Sequence, residues 1–244
     1  MGIPRAFVDV YLESGTVLDL PPEVSHHLKS VLRLGKGARL HLFNGNGFEF
    51  DADILNCGRH SIRVQIGAAR HKDYESPLET ILLLGLCRSE RMDFAIQKAV
   101  ELGVHTIVPV RCRRSQAIAD AKRASHRYRR RLAQVIGACE QCGRNHIPEV
   151  GEEMDLSVAL THYRQCTDGA LVLSPHKGIC MSQLSKPSSL SLLIGPEGGL
   201  SDVELDQAIA EGWAAIRIGP RILRCETAAL AGLIMAQTLW GDMT

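Results

Sequence analysis

The segment LLIGPEGGLSDVEL, Leu192–Leu205, decides how the chain is read. An apolar run leads into Gly195-Pro196-Glu197-Gly198-Gly199, and a polar stretch follows. A glycine-rich loop after an apolar strand usually suggests a phosphate site, but both phosphate patterns fail here. The P-loop spacing places Leu200 and Ser201 where Gly and Lys are required, and the dinucleotide fingerprint places Glu197 at its second glycine. A carboxylate there would repel a pyrophosphate. Ser201-x-x-Glu204 forms a capping box, and Leu200 with Leu205 are spaced as a hydrophobic staple, so a helix begins at Ser201. The loop is thus a strand-to-helix exit. Two readings stay open: a tight turn that needs glycine for its backbone, or a close backbone approach to a ligand that is not polyanionic.

A second stretch has the same form. In IRIGPRILRCETAAL, residues 216–230, a strand again leaves through Gly-Pro and enters a helix, with Arg224, Glu226 and Thr227 beside the turn. Ligands of open α/β sheets bind at the carboxyl ends of strands, so the two exits predict one shared pocket.

The pattern outward from these loops divides the chain in two. From Thr80 on, strands and helices alternate: ILLLGLC (81–87), the amphipathic helix SERMDFAIQKAVELG (89–103), HTIVPV (105–110), a basic helix over about 122–142, a helix near 156–163, ALVLS (170–174), SLLIG (191–195), a helix over 202–211, AAIRIG (214–219) and a last helix over about 226–240. That alternation predicts an α/β domain built on a mostly parallel sheet covered on both faces. Residues 1–72 are β-rich. ARLHLF (38–43) and FEFDADIL (48–55) flank Asn44-Gly45-Asn46-Gly47, a hairpin signal, and PPEVSHHLKSVLRL (21–34) carries helical spacing. This predicts a small barrel-like module with one helix, joined through the polar segment ARHKDYESP (69–77) to a second domain over 73–244.

Composition narrows the partners. The 244 residues carry 45% apolar residues and a formal charge of only +1, but the charge is uneven. Residues 111–131 hold nine Lys or Arg and the single acid Asp120. A basic stripe on a neutral chain points to a local polyanion site. Arg123, Arg127 and Arg131 recur every fourth residue and share one helix face. No stretch approaches a membrane span and the first residues lack a signal-peptide pattern, so a cytoplasmic protein is expected. Eight scattered cysteines fit reduced thiols. Cys139-x-x-Cys142 has no matching second pair, so no metal is expected.

The two loop motifs resemble the small-subunit ribosomal RNA methyltransferase E family, the uracil-N3 methyltransferases. RMDFAIQKAVELGVHTIVPV (91–110), EQCGRNHIPEV (140–150) and PPEVSHHLKSVLRLGKGARLHLFNGNG (21–47) resemble it in the same order, so the likeness covers essentially the whole chain. Two departures are small: Cys225 stands where Thr is more usual, and Val100 where Thr or Ser is common.

The resemblance implies a PUA-like β-barrel domain followed by a SPOUT-type parallel sheet with a C-terminal deep trefoil knot. It implies S-adenosyl-L-methionine as cofactor, a homodimer, and 16S rRNA of the small ribosomal subunit as substrate, methylated at N3 of one uridine. Leu173, Ile194, Gly195, Gly199, Ile218, Gly219, Leu223 and Thr227 would then bind the cofactor. Arg224 would stabilise charge on the uracil, Glu197 would be the first candidate base and Glu140 the second, and Arg144 would face the RNA side of the active site. Arg114, Arg123, Arg127, Arg131 and Asn145 are the candidate RNA contacts. Two other readings are a SPOUT transfer-RNA ribose methyltransferase and a ribosome-assembly factor that binds RNA without catalysis.

Overall fold

The computed structural model describes residues 2–59, 61–115 and 121–243; within the helix that begins at Ala121, side chains are described from residue 124. Two compact units result. One comprises Met1–Glu75 with Cys139–Ile147, the other Ser76–Ala138 with Pro148–Thr244. The segment Cys139–Ile147, which the sequence division assigns to the second domain, therefore packs with the first unit.

The first unit holds β1 (Arg5–Phe7), β2 (Val17–Asp19), α1 (Pro22–His26), β3 (Arg39–Phe43), β4 (Phe48–Cys57) and β5 (Ile62–His71), in the sheet order β1-β3-β4-β5-β2. The hairpin signal is met: β3 and β4 pair antiparallel across Asn44–Gly47, with Gly45 and Gly47 at φ of 88° and 87°. Leu40, Leu42, Phe50, Ile54, Ile62 and Val64 alternate inward to form the core. The expected single helix over 21–34 is shorter. After α1 the backbone widens into a π turn over His27–Val31, and Leu32 donates to the His27 carbonyl at 3.1 Å. Leu28 is buried there, whereas Val31 and Leu32 are 61% and 38% exposed. The helical spacing came from residues that do not share a buried face. The expected linker also begins later, because β5 runs on to His71.

The second unit holds β6 (Glu79–Gly85), α2 (Ser89–Glu101), β7 (Thr106–Arg111), α3 (Ala121–Cys142, its last turn belonging to the first unit), β8 (Glu149–Val150), β9 (Met154–Asp155), α4 (Leu156–Cys166), β10 (Gly169–Leu173), β11 (Ser189–Ile194), α5 (Asp202–Ala210), β12 (Ala214–Ile216) and α6 (Cys225–Trp240). The order is β12-β10-β11-β6-β7-β8, with β9 also beside β7, and every described pairing is parallel. A parallel sheet is covered on both faces, which is why β6 and β11 read as unbroken apolar runs. Ile81, Leu83, Val108 and Leu193 share one core with Leu160 of α4, Leu205 of α5 and Trp213 just before β12. On the opposite face Leu192 meets α6 so closely that a Cβ on Gly232 would lie 2.8 Å from it. The neighbouring strands β12, β10 and β11 all end at one edge, and their three exit loops build the site.

Candidate active site

The predicted cap at Ser201 is present. Ser201 Oγ accepts from the Glu204 N–H at 3.4 Å, and Glu204 Oε2 accepts from the Ser201 N–H at 2.8 Å. The other Glu204 oxygen accepts from the Arg113 N–H at 2.6 Å. Burial, the largest single influence on this carboxyl, raises its pKa; the Arg113 and Ser201 donors outweigh it and hold the group below its ordinary value. Arg114 fixes the same loop from outside. Its Nη1 donates to the carbonyls of Gly198 (3.0 Å) and Leu200 (3.4 Å).

Glycine is required here for two different reasons. A Cβ on Gly195 would lie 2.9 Å from the Leu200 nitrogen and 3.1 Å from the Gly199 carbonyl carbon, so the bend closes on itself. Gly199 instead has φ of 67° with open space where its Cβ would be. The loop's flank is a third glycine: a Cβ on Gly85, the last residue of β6, would lie 2.5 Å from the Pro196 nitrogen.

Glu197 has a protein partner. Its Oε1 accepts from the Arg88 N–H at 3.1 Å and lies 3.6 Å from Arg91 Nη1. Arg88 precedes the first turn of α2. The carboxylate therefore sits on the positive end of that helix and beside a guanidinium. One oxygen of this first candidate base is thus held by the main chain, while the residue still lines the cavity described next.

The exits of β10, β11 and β12 enclose a cavity of about 410 Å³, within the ordinary range for small-molecule sites. Leu173, Ile194, Gly195, Gly199, Ile218 and Leu223 line it, as do Glu197 and Arg114. Gly219 and Thr227 are not among the lining residues; both are exposed, Gly219 shaping its loop at φ of 67° and Thr227 on α6. Arg224 is exposed at the position just before α6; its carbonyl accepts from the Ala228 N–H at 2.7 Å, and its side chain has no hydrogen bond or ion pair among the described residues.

Sequence reasoning missed the wall contributed by Ser174–Lys177. The buried Ser174 hydroxyl accepts from the N–H groups of His176 (3.4 Å) and Lys177 (3.1 Å), making a tight turn beyond β10. Beyond it Ile179 forms a parallel bridge with Ile216. The only early signal was the polar, patternless stretch after ALVLS. Cys225 also lines the cavity, and its thiol donates to Glu226 at 3.2 Å. The neighbouring Cys225 together with burial pushes the Cys87 thiol far up, and Cys87 in turn lowers Cys225.

The basic helix is arranged differently from the predicted free face. Arg127 grips Glu153 with both ends (2.7 and 2.9 Å), and Arg131 reaches the same carboxylate at 2.8 Å. Arg131 is 6% exposed. Burial is the largest influence on both groups. It lowers Arg131 despite Glu153, whereas Glu153 stays below its ordinary value because the two arginines overcome burial. Arg127 and Arg131, the candidate phosphate contacts, are thus members of an ion-pair cluster on Glu153 rather than of a free face. Arg130 pairs with Asp93. The Arg123 side chain lies outside the described residues.

Glu140, Arg144 and Asn145 belong to the first unit, and their polar groups serve it. Glu140 Oε1 accepts from the Phe7 N–H at 3.0 Å. Arg144 is buried and holds Glu75, its Nε 2.9 Å from Oε1. Asn145 accepts from Arg5 at 2.8 Å and donates to the Lys72 carbonyl at 3.2 Å. Sequence reasoning took this motif for active-site chemistry; the structure shows side chains that tie residues 139–147 to the N-terminal strands. No cluster of metal-ligating side chains occurs among the described residues, and none of the described helices is long and apolar enough to cross a membrane.

Comparison with known proteins fits this geometry. Residues 74–237 match an RNA methyltransferase domain, and residues 20–67 an RNA methyltransferase PUA domain. The chain is 36% identical to the ribosomal RNA small subunit methyltransferase E of Buchnera aphidicola subsp. Schizaphis graminum over 248 residues, covering 99% of this chain and 98% of that one. The namesake from Bacillus subtilis is 27% identical, with 94% of each chain covered. The crystal structure of the Neisseria gonorrhoeae enzyme of that name, bound to S-adenosyl methionine, has a TM-score of 0.92 at 36% identity with all of both chains covered. A Legionella pneumophila chain solved in complex with the bound cofactor SAM gives 0.96 at 34%, again over both whole chains.

The fold and domain pair define an RNA methyltransferase: a parallel α/β sheet preceded by a PUA-like domain. Within that class the chain belongs to the ribosomal RNA small subunit methyltransferase E family.

Proposed function

We propose that the chain is an S-adenosylmethionine-dependent methyltransferase acting on N3 of a uridine in 16S rRNA, as a cytoplasmic homodimer with a knotted C-terminal segment. The observation that carries the reading is the cavity at the ends of β10, β11 and β12. Its walls are apolar at Leu173, Ile194, Ile218 and Leu223 and bare backbone at Gly195 and Gly199. Its one central carboxylate is drawn onto the α2 N-terminus. Such a lining suits an uncharged adenosyl group, and the basic Arg114, His176, Lys177 and Arg221 stand among the remaining lining residues. Ile194, Gly195, Ile218 and Leu223 would hold the cofactor. When bound, S-adenosylmethionine supplies an electrophilic methyl group.

The chain's own part is to hold the uracil and stabilise it as an anion. Uracil N3 must lose its proton before its lone pair can attack carbon. Arg224, exposed and unpaired among the described residues, supplies the positive charge that favours the anion, and solvent takes the proton. Glu197 and Glu140 accept main-chain N–H groups and are not needed as bases. Much of the rate comes from alignment of the uracil. Phosphate contacts fall to Arg113 and Arg129, which are exposed, rather than to Arg127 and Arg131.

The test is transfer of labelled methyl groups onto undermethylated small subunits, followed by nucleoside analysis. The expected product is 3-methyluridine. A ribose-methylated nucleoside would favour the ribose methyltransferase reading, and RNA binding without transfer would favour an assembly factor.

A further inference from the structure

Ile222 stands out in the loop between β12 and α6. It lines the cavity, yet it is 77% exposed. Its apolar neighbours behave differently: Ile216 is buried, and Ile218 and Leu223 are partly buried. Water is a poor environment for a branched aliphatic side chain, and the fold does not cover this one. Arg221 and Arg224 flank it. Both are exposed, and neither side chain has a hydrogen bond or ion pair among the described residues. The bend at Gly219, φ of 67°, followed by Pro220, sets this Arg-Ile-Leu-Arg run at the mouth.

The chemistry of this lip matches one occupant. A pyrimidine has apolar faces, and its nucleotide carries a phosphate at each side. An aliphatic platform between two unpaired guanidiniums complements both features. A base within a structured RNA must be unstacked before its N3 can reach a cavity, and apolar side chains take over the lost stacking in other nucleic-acid complexes. We propose that Ile222 is a positioning residue for the target nucleotide: its side chain supports the displaced uracil ring at the cavity mouth, and Arg221 holds the adjoining phosphate. This rests on the methyltransferase reading above.

Full-length wild type, Ile222→Ala and Ile222→Leu are compared in three measurements. These are S-adenosylmethionine affinity by calorimetry, oligomeric state by size exclusion, and methylation kinetics on undermethylated small subunits. Removing most of one aliphatic contact should lower kcat/KM for the RNA about tenfold, mainly through kcat, because phosphate contacts dominate binding. Ile222→Leu should recover most of it, with cofactor affinity and elution unchanged. A parallel loss of cofactor affinity would make Ile222 a wall of the cofactor site. A shifted elution would make it a contact between copies of the chain. Unchanged kinetics would leave it a bystander. Each overturns the inference. If wild type itself transfers no methyl group, the underlying reading fails first, and that outcome is distinct from the other three.

Discussion

Gly85→Ala adds a single methyl group, on a residue that the linear sequence separates widely from the cavity loop. The new Cβ would lie 2.5 Å from the Pro196 nitrogen, 2.7 Å from its Cδ and 2.8 Å from the Gly195 carbonyl carbon. Non-bonded carbon contacts settle near 3.5–4.0 Å, so the loop must retreat by about 1 Å. All three atoms belong to a rigid bend, which leaves no flexible side chain to swing away. Overpacking of this kind costs about 1–3 kcal/mol. For a chain of this size each kcal/mol corresponds to roughly 2–4 °C, so Tm should fall by about 2–12 °C. The retreating atoms also form the cavity wall at Gly195 and Pro196. Cofactor affinity should therefore fall by about tenfold, the scale on which ångström displacements act at such sites. Thermal unfolding by circular dichroism and calorimetric titration with S-adenosylmethionine measure the two effects. Gly35→Ala is the control, since nothing lies within 4 Å of its Cβ position and its φ is not positive. If Gly85→Ala matches that control in Tm, the close approach is wrong. If Tm falls while affinity holds, the loop does not border the cofactor.

Glu197→Gln separates a clamp from a base. Loss of the charge beside the α2 N-terminus and Arg91 should lower stability by about 1 kcal/mol in urea titration, with methylation slowed only modestly; a collapse of kcat at unchanged stability would restore Glu197 as the base. Glu153 predicts an acid response. Its folded pKa lies below the ordinary 4.5, so its stabilisation is complete above that value and is lost as pH falls from about 4.5 through the folded pKa. Glu153→Gln should cost roughly 3–5 kcal/mol at neutral pH by leaving Arg131 buried without its counter-charge, and the gap to wild type should close in acid. A gap that stays constant through a pH series of urea titrations would contradict the cluster's role.

Legibility followed sequence distance. The Ser201–Glu204 cap was readable because both partners lie within one turn, and β6 and β11 because burial on two faces writes an unbroken apolar run. Six of the eight cofactor candidates line the cavity, five of them on the two Gly-Pro exits and Leu173 at the end of β10. What the sequence did not show is partners far apart in the chain. Arg127 finds Glu153 across a loop, Arg144 finds Glu75, and Glu197 finds the Arg88 N–H. In each case the charge was visible and its partner was not. Ser174–Lys177 and Ile222 were hidden for another reason: loop residues carry no periodicity to mark which side faces a cavity.

The Glu204 carboxylate has one further consequence. One of its oxygens holds the exit of the Gly195–Ser201 loop and the other holds the Arg113 main chain, while Arg114 grips Gly198 and Leu200 from the same turn. The cavity wall and the basic turn after β7 are thereby one mechanical body. If occupancy of one side changes affinity at the other, thermodynamic reciprocity requires the two effects to be equal. A ligand on the Arg113–Ser115 turn that altered cofactor affinity would have its own affinity altered by cofactor by the same factor.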